Sequence, residues 1–120
     1  EGALMIRVKI DTANAVIDLQ SDILGNVPLQ YTLHQNYPNP FNPVTTFRYD
    51  IPEDAFVNIT IYNMMGRQVS TLVSSQQTAG FKSIQWNATN DKGAPVSAGI
   101  YLYTIQAGEF RQTKKMVLLK

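Results

Sequence analysis

The side chains that could take part in catalysis or metal binding are few in this 120-residue chain, and they lie far apart. His34 is the single histidine and there is no cysteine, so neither a zinc site nor a disulfide framework is expected. Asp50, Asp54 and Asp91 stand separately, and "NATNDKG" at 87–93 lacks the spaced carboxylates of a calcium loop. No Ser-His-Asp arrangement or phosphate loop stands out. We therefore expect no enzyme activity, no catalytic residue, no metal and no cofactor.

Charge and hydropathy also exclude several kinds of partner. The net charge of +1 argues against binding to nucleic acid or a membrane surface through bulk charge. No apolar run approaches the roughly 20 residues that span a bilayer. The chain begins at Glu1 without a signal peptide, so we expect it to be a piece of a longer protein.

Short runs with alternating apolar residues follow one another in the second part of the chain, as is typical of half-buried β-strands. The runs are 45–51, 56–62, 67–73, 81–86, 99–107 and 110–120. The run 67–73 offers Val69 and, less clearly, Leu72 to the core, whereas 99–107 is apolar on both faces and predicts a central strand. Turn residues separate the runs, and no window has a clear helical period. The pattern predicts an all-β antiparallel sandwich or barrel of about seven strands.

The first thirty residues have a different organisation. Alternating apolar residues at 3–10 and a short apolar run at 15–19 predict strands, and residues 20–32 read as a linker that collects turn residues. We interpret 1–30 as the end of a preceding domain with its linker, and 33–120 as the C-terminal domain. Whether 1–19 add a strand to this domain is left open by the sequence.

The stretch "NYPNPFNP", residues 36–43, combines three prolines with three asparagines and two aromatic residues. Proline fixes its own φ, favours extended geometry in the preceding residue and donates no backbone hydrogen bond, so this stretch cannot be a central strand. We predict a stiff segment that lies along a sheet edge, protects that edge, and is anchored by Tyr37 and Phe41. The alternative is a plain spacer between domains.

Two further motifs indicate roles in packing or recognition. Gly99-Ile100-Tyr101 opens the most apolar strand, where Gly99 is expected to adopt a conformation that other residues avoid and Tyr101 to meet Trp86 and Tyr103 in the core. The tail "KKMVLLK", 114–120, alternates so that one pair of aliphatic side chains packs inward and the other faces out beside lysines. Such a strand can dock another protein, or it can simply pair inside the domain.

Taken together and in order, five pieces resemble the C-terminal sorting domain of type IX secretion cargo, which ends secreted and surface proteins of Bacteroidetes-like bacteria. They are Gln35 to Pro43, Ile61-Tyr62-Asn63 with Gly66, Trp86-Asn87, Ser97 to Tyr101, and Lys114 to Lys120. The resemblance covers 33–120, about three quarters of the chain. It implies an immunoglobulin-like or fibronectin-III-like fold.

The resemblance also implies a function. The domain would direct a larger cargo protein to an outer-membrane translocon, and a sortase-like peptidase would cut upstream of it, with the cut expected within 20–32. The cargo would pass through the periplasm and reach the cell surface or the exterior. The residues that this resemblance assigns to sorting and recognition are Pro38, Asn39, Pro40, Phe41, Asn42, Pro43, Gly99, Tyr101, Lys114, Lys115, Met116, Val117, Leu118, Leu119 and Lys120.

Two other functions compete with export. The hook-capping protein of flagella has a related immunoglobulin-like domain, which predicts a structural or assembly module. A carbohydrate-binding module would instead need an exposed platform of rings from Trp86, Tyr101 and Tyr103.

Overall fold

The computed structural model describes residues 27–120, which form two antiparallel β-sheets that share one core. The strands are β1 Thr32–Leu33, β2 Thr45–Ile51, β3 Ala55–Asn63, β4 Gln68–Gln77, β5 Gly80–Trp86, β6 Gly99–Ala107 and β7 Phe110–Leu118. One sheet has the order β1-β2-β5 and the other β4-β3-β6-β7. The predicted all-β immunoglobulin-like sandwich of about seven strands is confirmed, and β6 is a central strand as expected.

Residues 1–26 lie outside the described part of the chain. The strands predicted at 3–10 and 15–19, and most of the linker predicted at 20–32, fall there. The last linker residue, Thr32, belongs to β1, where it pairs with Asp50 of β2. Between residues 27 and 120, no helix is long and apolar enough to cross a bilayer.

The core forms because alternate residues of the central strands point between the sheets. The large inward residues of β2, β3 and β6 are Phe47, Tyr49, Ile51, Val57, Ile59, Ile61, Tyr101, Tyr103 and Ile105. Phe47 and Tyr103 join the two sheets directly, with ring centroids 4.6 Å apart. Each buried side chain of this size contributes about 1.5–3 kcal/mol to stability.

Strand β4 departs from the predicted pattern. The residues that it buries are Ser70 and Val73, whereas Val69 and Leu72 are only half-buried. The register against β3 shifts twice, so that Leu72 and Val69 each lie where one extra residue enters β4. A bulge of this kind moves the following side chains to the opposite face, which alternation in the sequence cannot reveal.

The central position of β3 makes its inward residues the most sensitive to truncation. We expect Ile59→Ala to lower the free energy of unfolding by about 2–5 kcal/mol, because the wholly buried side chain leaves a cavity. Phe56→Ala in the same strand removes a larger but exposed side chain, and should change stability by less than about 0.5 kcal/mol. Urea unfolding of both variants measures the difference. Equal losses would contradict the register described for β3.

Candidate recognition surface

The proline segment, residues 36–43, bridges the two sheets. At its start, Tyr37 exchanges backbone hydrogen bonds of 3.0 and 2.9 Å with Thr46 of β2. At its other end, the Phe41 N–H donates to the Val117 carbonyl at 3.0 Å, and the Leu119 N–H donates to the Phe41 carbonyl at 2.8 Å. The segment therefore covers part of the outer edge of β7, as the sequence predicts.

Anchoring of the segment differs from the prediction in one respect. Phe41 is buried in the core, but the Tyr37 side chain is 79% exposed. The expectation that Tyr37 anchors the segment through its ring is wrong, because its backbone, rather than its side chain, makes the attachment. The peptide bonds before Pro38, Pro40 and Pro43 are all cis.

A buried polar cluster holds the start of the segment in place. The backbone N–H of Asn36 donates to the Tyr103 hydroxyl at 2.8 Å, and that hydroxyl donates to the His34 carbonyl at 3.0 Å. The Asn36 amide donates to the Thr45 hydroxyl at 3.0 Å, and Thr45 donates to the Pro38 carbonyl at 2.9 Å. Asn36, Thr45 and Tyr103 are almost completely buried, so each lost bond would leave a buried polar group without its partner.

The tail, residues 114–120, is both core and surface. Met116 and Leu118 are buried, Val117 is half-buried, and Leu119 is 51% exposed, so the predicted alternation of faces is confirmed. The strand part of the tail pairs with β6 along its whole length. Asn39 of the proline segment and Gln35, just before that segment, also bind the outer edge of β7. Gln35 donates to the Lys115 carbonyl at 2.9 Å, and Asn39 accepts from the Val117 N–H at 3.0 Å.

Gly99 and Tyr101 lie beside the tail. Gly99 pairs with Leu118 and has a φ of +151°, a conformation that side-chain-bearing residues rarely adopt. The Tyr101 ring packs edge-on against Trp86, with centroids 5.8 Å apart, and Trp86 packs against Phe41 at 5.9 Å. This row of three buried rings joins the Gly-x-Tyr motif to the proline segment through the core.

The structure thus brings the three predicted recognition motifs to one end of the sandwich and divides their residues into three groups by burial. Phe41, Tyr101, Met116 and Leu118 are buried. The exposed members, which a partner could contact, are Pro38, Asn39, Pro40, Asn42, Pro43, Lys115, Leu119 and Lys120. Lys114, Val117 and Gly99 are intermediate.

The residues predicted for sorting and recognition leave out several that build this surface. These are Gln35, Asn36, Thr45, Trp86 and Tyr103. For Trp86 and Tyr103 the sequence did predict a position in the core. Asn36 carried only a weak signal, because an asparagine before a proline cluster reads equally well as a local turn residue.

Other candidate chemistries are accounted for by local contacts. The lone His34, which directly follows β1, bonds Asp50 of β2, with 3.1 Å between Nε2 and Oδ2. In residues 27–120, no group of three His, Asp or Glu side chains is arranged to hold a metal ion. Trp86, Tyr101 and Tyr103 are at most 5% exposed, so these three rings cannot form a platform for a sugar.

The fold and this surface define an immunoglobulin-like β-sandwich, and the sequence comparison identifies its family. A family model described as the FlgD Ig-like domain matches residues 42–109, more than half of the chain, and the chain belongs to this family. The matched range leaves out most of the proline segment and the whole tail. No curated protein matches the chain.

Solved structures with the same fold include two Porphyromonas gingivalis proteins and a flagellar hook-capping protein. PorU from Porphyromonas gingivalis, described as a dimeric latent protein, is 23% identical with a TM-score of 0.59, over 77% of this chain and 10% of its own. PorZ from the same organism, an essential bacterial surface component of the type-IX secretion system, is 20% identical with a TM-score of 0.52, over 75% and 11%. FlgD from Xanthomonas campestris, in a study of hook capping essential for flagellar assembly, is 20% identical with a TM-score of 0.50, over 82% and 71%. This chain therefore spans about a tenth of the first two proteins, and at these identities the likeness shows the fold.

The contacts of Asn39 predict a difference between two asparagines of the proline segment. Asn39→Ala removes the acceptor of the Val117 N–H and should destabilise by about 0.5–1.5 kcal/mol, with faster hydrogen exchange at that amide. Asn42→Ala is the matched control, because within the described residues its exposed side chain makes no hydrogen bond. The same exchange rate in both variants would show that Asn39 does not hold the segment to β7.

Burial raises the pKa of Tyr103 to about 12, against the opposing effect of the hydrogen bond from Asn36. Below pH 10 the tyrosine is protonated in both states and its titration does not affect stability. Between pH 10 and 12 only the unfolded state loses the proton, so stability falls as pH rises, by about 2–3 kcal/mol in total. Urea unfolding from pH 8 to 12 measures this decline.

Tyr103→Phe separates this contribution from that of other titrating groups. At pH 8 the variant should be less stable by about 1–3 kcal/mol, because the Asn36 N–H loses its partner. Its stability should then fall less steeply than that of the parent above pH 10. Parallel declines in the two proteins would contradict the buried, neutral state of Tyr103.

Proposed function

We propose that this domain is the C-terminal export signal of a larger protein that leaves the cell through a type IX secretion system. The observation that carries the proposal is the convergence of the proline segment, Gly99-Tyr101 and the tail at one end of the sandwich. Residues 41, 99 and 118 are far apart in sequence, yet backbone pairing joins them. Two of these three motifs lie largely outside the range shared with the FlgD Ig-like family.

In this proposal the domain has no chemistry of its own. Its partners are the outer-membrane translocon, a sortase-like peptidase and the upstream cargo of the same protein, and it binds neither nucleic acid nor a small-molecule substrate. The cargo passes through the periplasm and ends at the cell surface or outside. Cleavage falls before β1, since Tyr31 stacks on Phe110 with ring centroids 5.3 Å apart and the sandwich begins at Thr32.

Because Met116 and Leu118 are buried, truncation of the tail cannot test its role in recognition. Removal of residues 114–120 would delete Met116 and Leu118 from the core and the backbone partner of Phe41. Such a truncation would unfold the domain, so loss of export would not separate recognition from folding. Substitutions at the exposed Lys115 and Lys120 avoid this problem.

The test is export of a periplasmic reporter fused to the full chain, in a host with a type IX system. The parent fusion should reach the surface or medium, and Lys115→Glu with Lys120→Glu should lower that fraction by about tenfold, the effect of about 1.4 kcal/mol of lost binding. Arg48→Glu with Lys92→Glu makes the same charge change at exposed positions outside the three motifs and should export normally. Thermal unfolding checks that all three fold.

Retention of the folded parent fusion in the periplasm would reject the export function. Equal export by the two double variants would instead reject the role of the tail lysines. The second candidate function is a structural or assembly module, which the family match and the FlgD structure favour. It predicts that the domain stays attached to the mature protein, which mass spectrometry of the surface fraction would detect.

A further inference from the structure

The outer edge of β7 is only partly covered. The backbone groups that bind the proline segment and Gln35 belong to Lys115, Val117 and Leu119, which are alternate residues of one strand. Because β7 pairs with β6 without a register shift, the same alternation makes the N–H and C=O groups of Arg111 and Thr113 face this edge. In residues 27–120, no backbone hydrogen bond joins these groups to another segment. We call Arg111–Lys115 the β7 edge.

The β7 edge is strongly basic. It carries Arg111, Lys114 and Lys115 within five residues and has no acidic residue. Arg111 donates to the uncharged Gln106 at 3.2 Å, and within the described residues no carboxylate lies within 4.0 Å of the three cationic groups. Arg111, Thr113 and Lys115 are exposed. A row of unpaired backbone groups flanked by unpaired cations can add a strand whose side chains are acidic.

We propose that the β7 edge is a binding site for an extended acidic peptide segment of a partner protein, which adds to the four-stranded sheet as a fifth strand. The backbone of the segment pairs with Arg111 and Thr113, and two of its carboxylates, four residues apart, lie beside Arg111 and Lys115. The edge spans about 17 Å, enough for a strand of about five residues.

Charge argues against a second copy of this chain as the occupant. Antiparallel pairing of two identical edges about Thr113 would place Arg111 of one copy opposite Lys115 of the other. Like charges directly opposite each other in a sheet are destabilising. The cations that attract an acidic strand therefore also keep the edge from pairing with itself.

The proposal does not rest on the export function, because it concerns the purified chain and a synthetic probe. The probe is an eight-residue acetylated and amidated peptide that alternates glutamate with valine. It is titrated into the ¹⁵N-labelled 120-residue chain while amide chemical shifts are recorded. We expect saturable shifts concentrated at the amides of Arg111, Thr113 and Lys115, and an affinity that falls about tenfold or more between low and high salt.

Two control peptides separate strand addition from simple charge attraction. The same peptide with N-methylated backbone amides keeps its charge but loses its donors, and it should bind at least about tenfold more weakly. A peptide that alternates lysine with valine should not bind. Arg111→Glu with Lys115→Glu, both exposed changes, should reverse the preference between the acidic and basic peptides.

A pair of substitutions at one position tests the backbone contact. Thr113→Pro removes an N–H that faces the edge and leaves the pairing with β6, so it should abolish binding without unfolding the sandwich. Thr113→Val is its control, because it loses only the hydroxyl contact with Thr104 at 2.8 Å, and it should bind as the parent does.

The proposal is overturned by any of three results. The first is no change in amide chemical shifts at 1 mM acidic peptide. The second is an equal affinity for the N-methylated peptide. The third is dimerisation of the chain through β7, detected by sedimentation. If Thr113→Pro does not fold, the peptide controls and the charge-reversal variant decide the question alone.

Discussion

The attachment of the proline segment to β7 is the constraint on which the rest of the surface depends. Without it, the core beneath Phe41 and the edge of β7 would both be open to water on the same side of the sandwich. The attachment depends in turn on Asn36, whose backbone and side chain use the hydroxyls of Tyr103 and Thr45. A buried polar cluster of this kind fixes one geometry, because any displacement leaves several groups unsatisfied at once.

In the proposed export signal, packing and recognition depend on the same residues at this end of the domain. Phe41, Tyr101, Met116 and Leu118 hold the three motifs together from inside, and their exposed neighbours present the surface. A change in any buried member therefore alters the surface that the proposed partner would contact, even though that side chain itself is out of reach. Motifs of this type specify a shape rather than a linear string of contacts. The exposed lysines are the positions at which the two roles can be separated.

The sequence predicted the strands well because a buried face imposes a period of two on each of them. It could not predict the bulges of β4, since an extra residue such as Leu72 leaves the local composition unchanged. Nor could it distinguish Tyr37 from Phe41, two aromatic residues beside prolines in the same segment. Which of the two rings is buried is decided by the pairing of Phe41 with Val117 and Leu119, more than seventy residues away. No local sequence pattern contains information about that pairing.

The long separation between residue 41 and its partner strand has a consequence for the timing of folding. During translation, residues 36–43 are made before Val117 and Leu119. The proline segment therefore cannot dock on the edge of β7 until those two residues have been made. Contacts between such distant residues form slowly, because a large loop has to close first. A chain whose synthesis stops before Phe110 lacks β7, which completes the core, so the surface at this end of the sandwich forms only after β7 has been made.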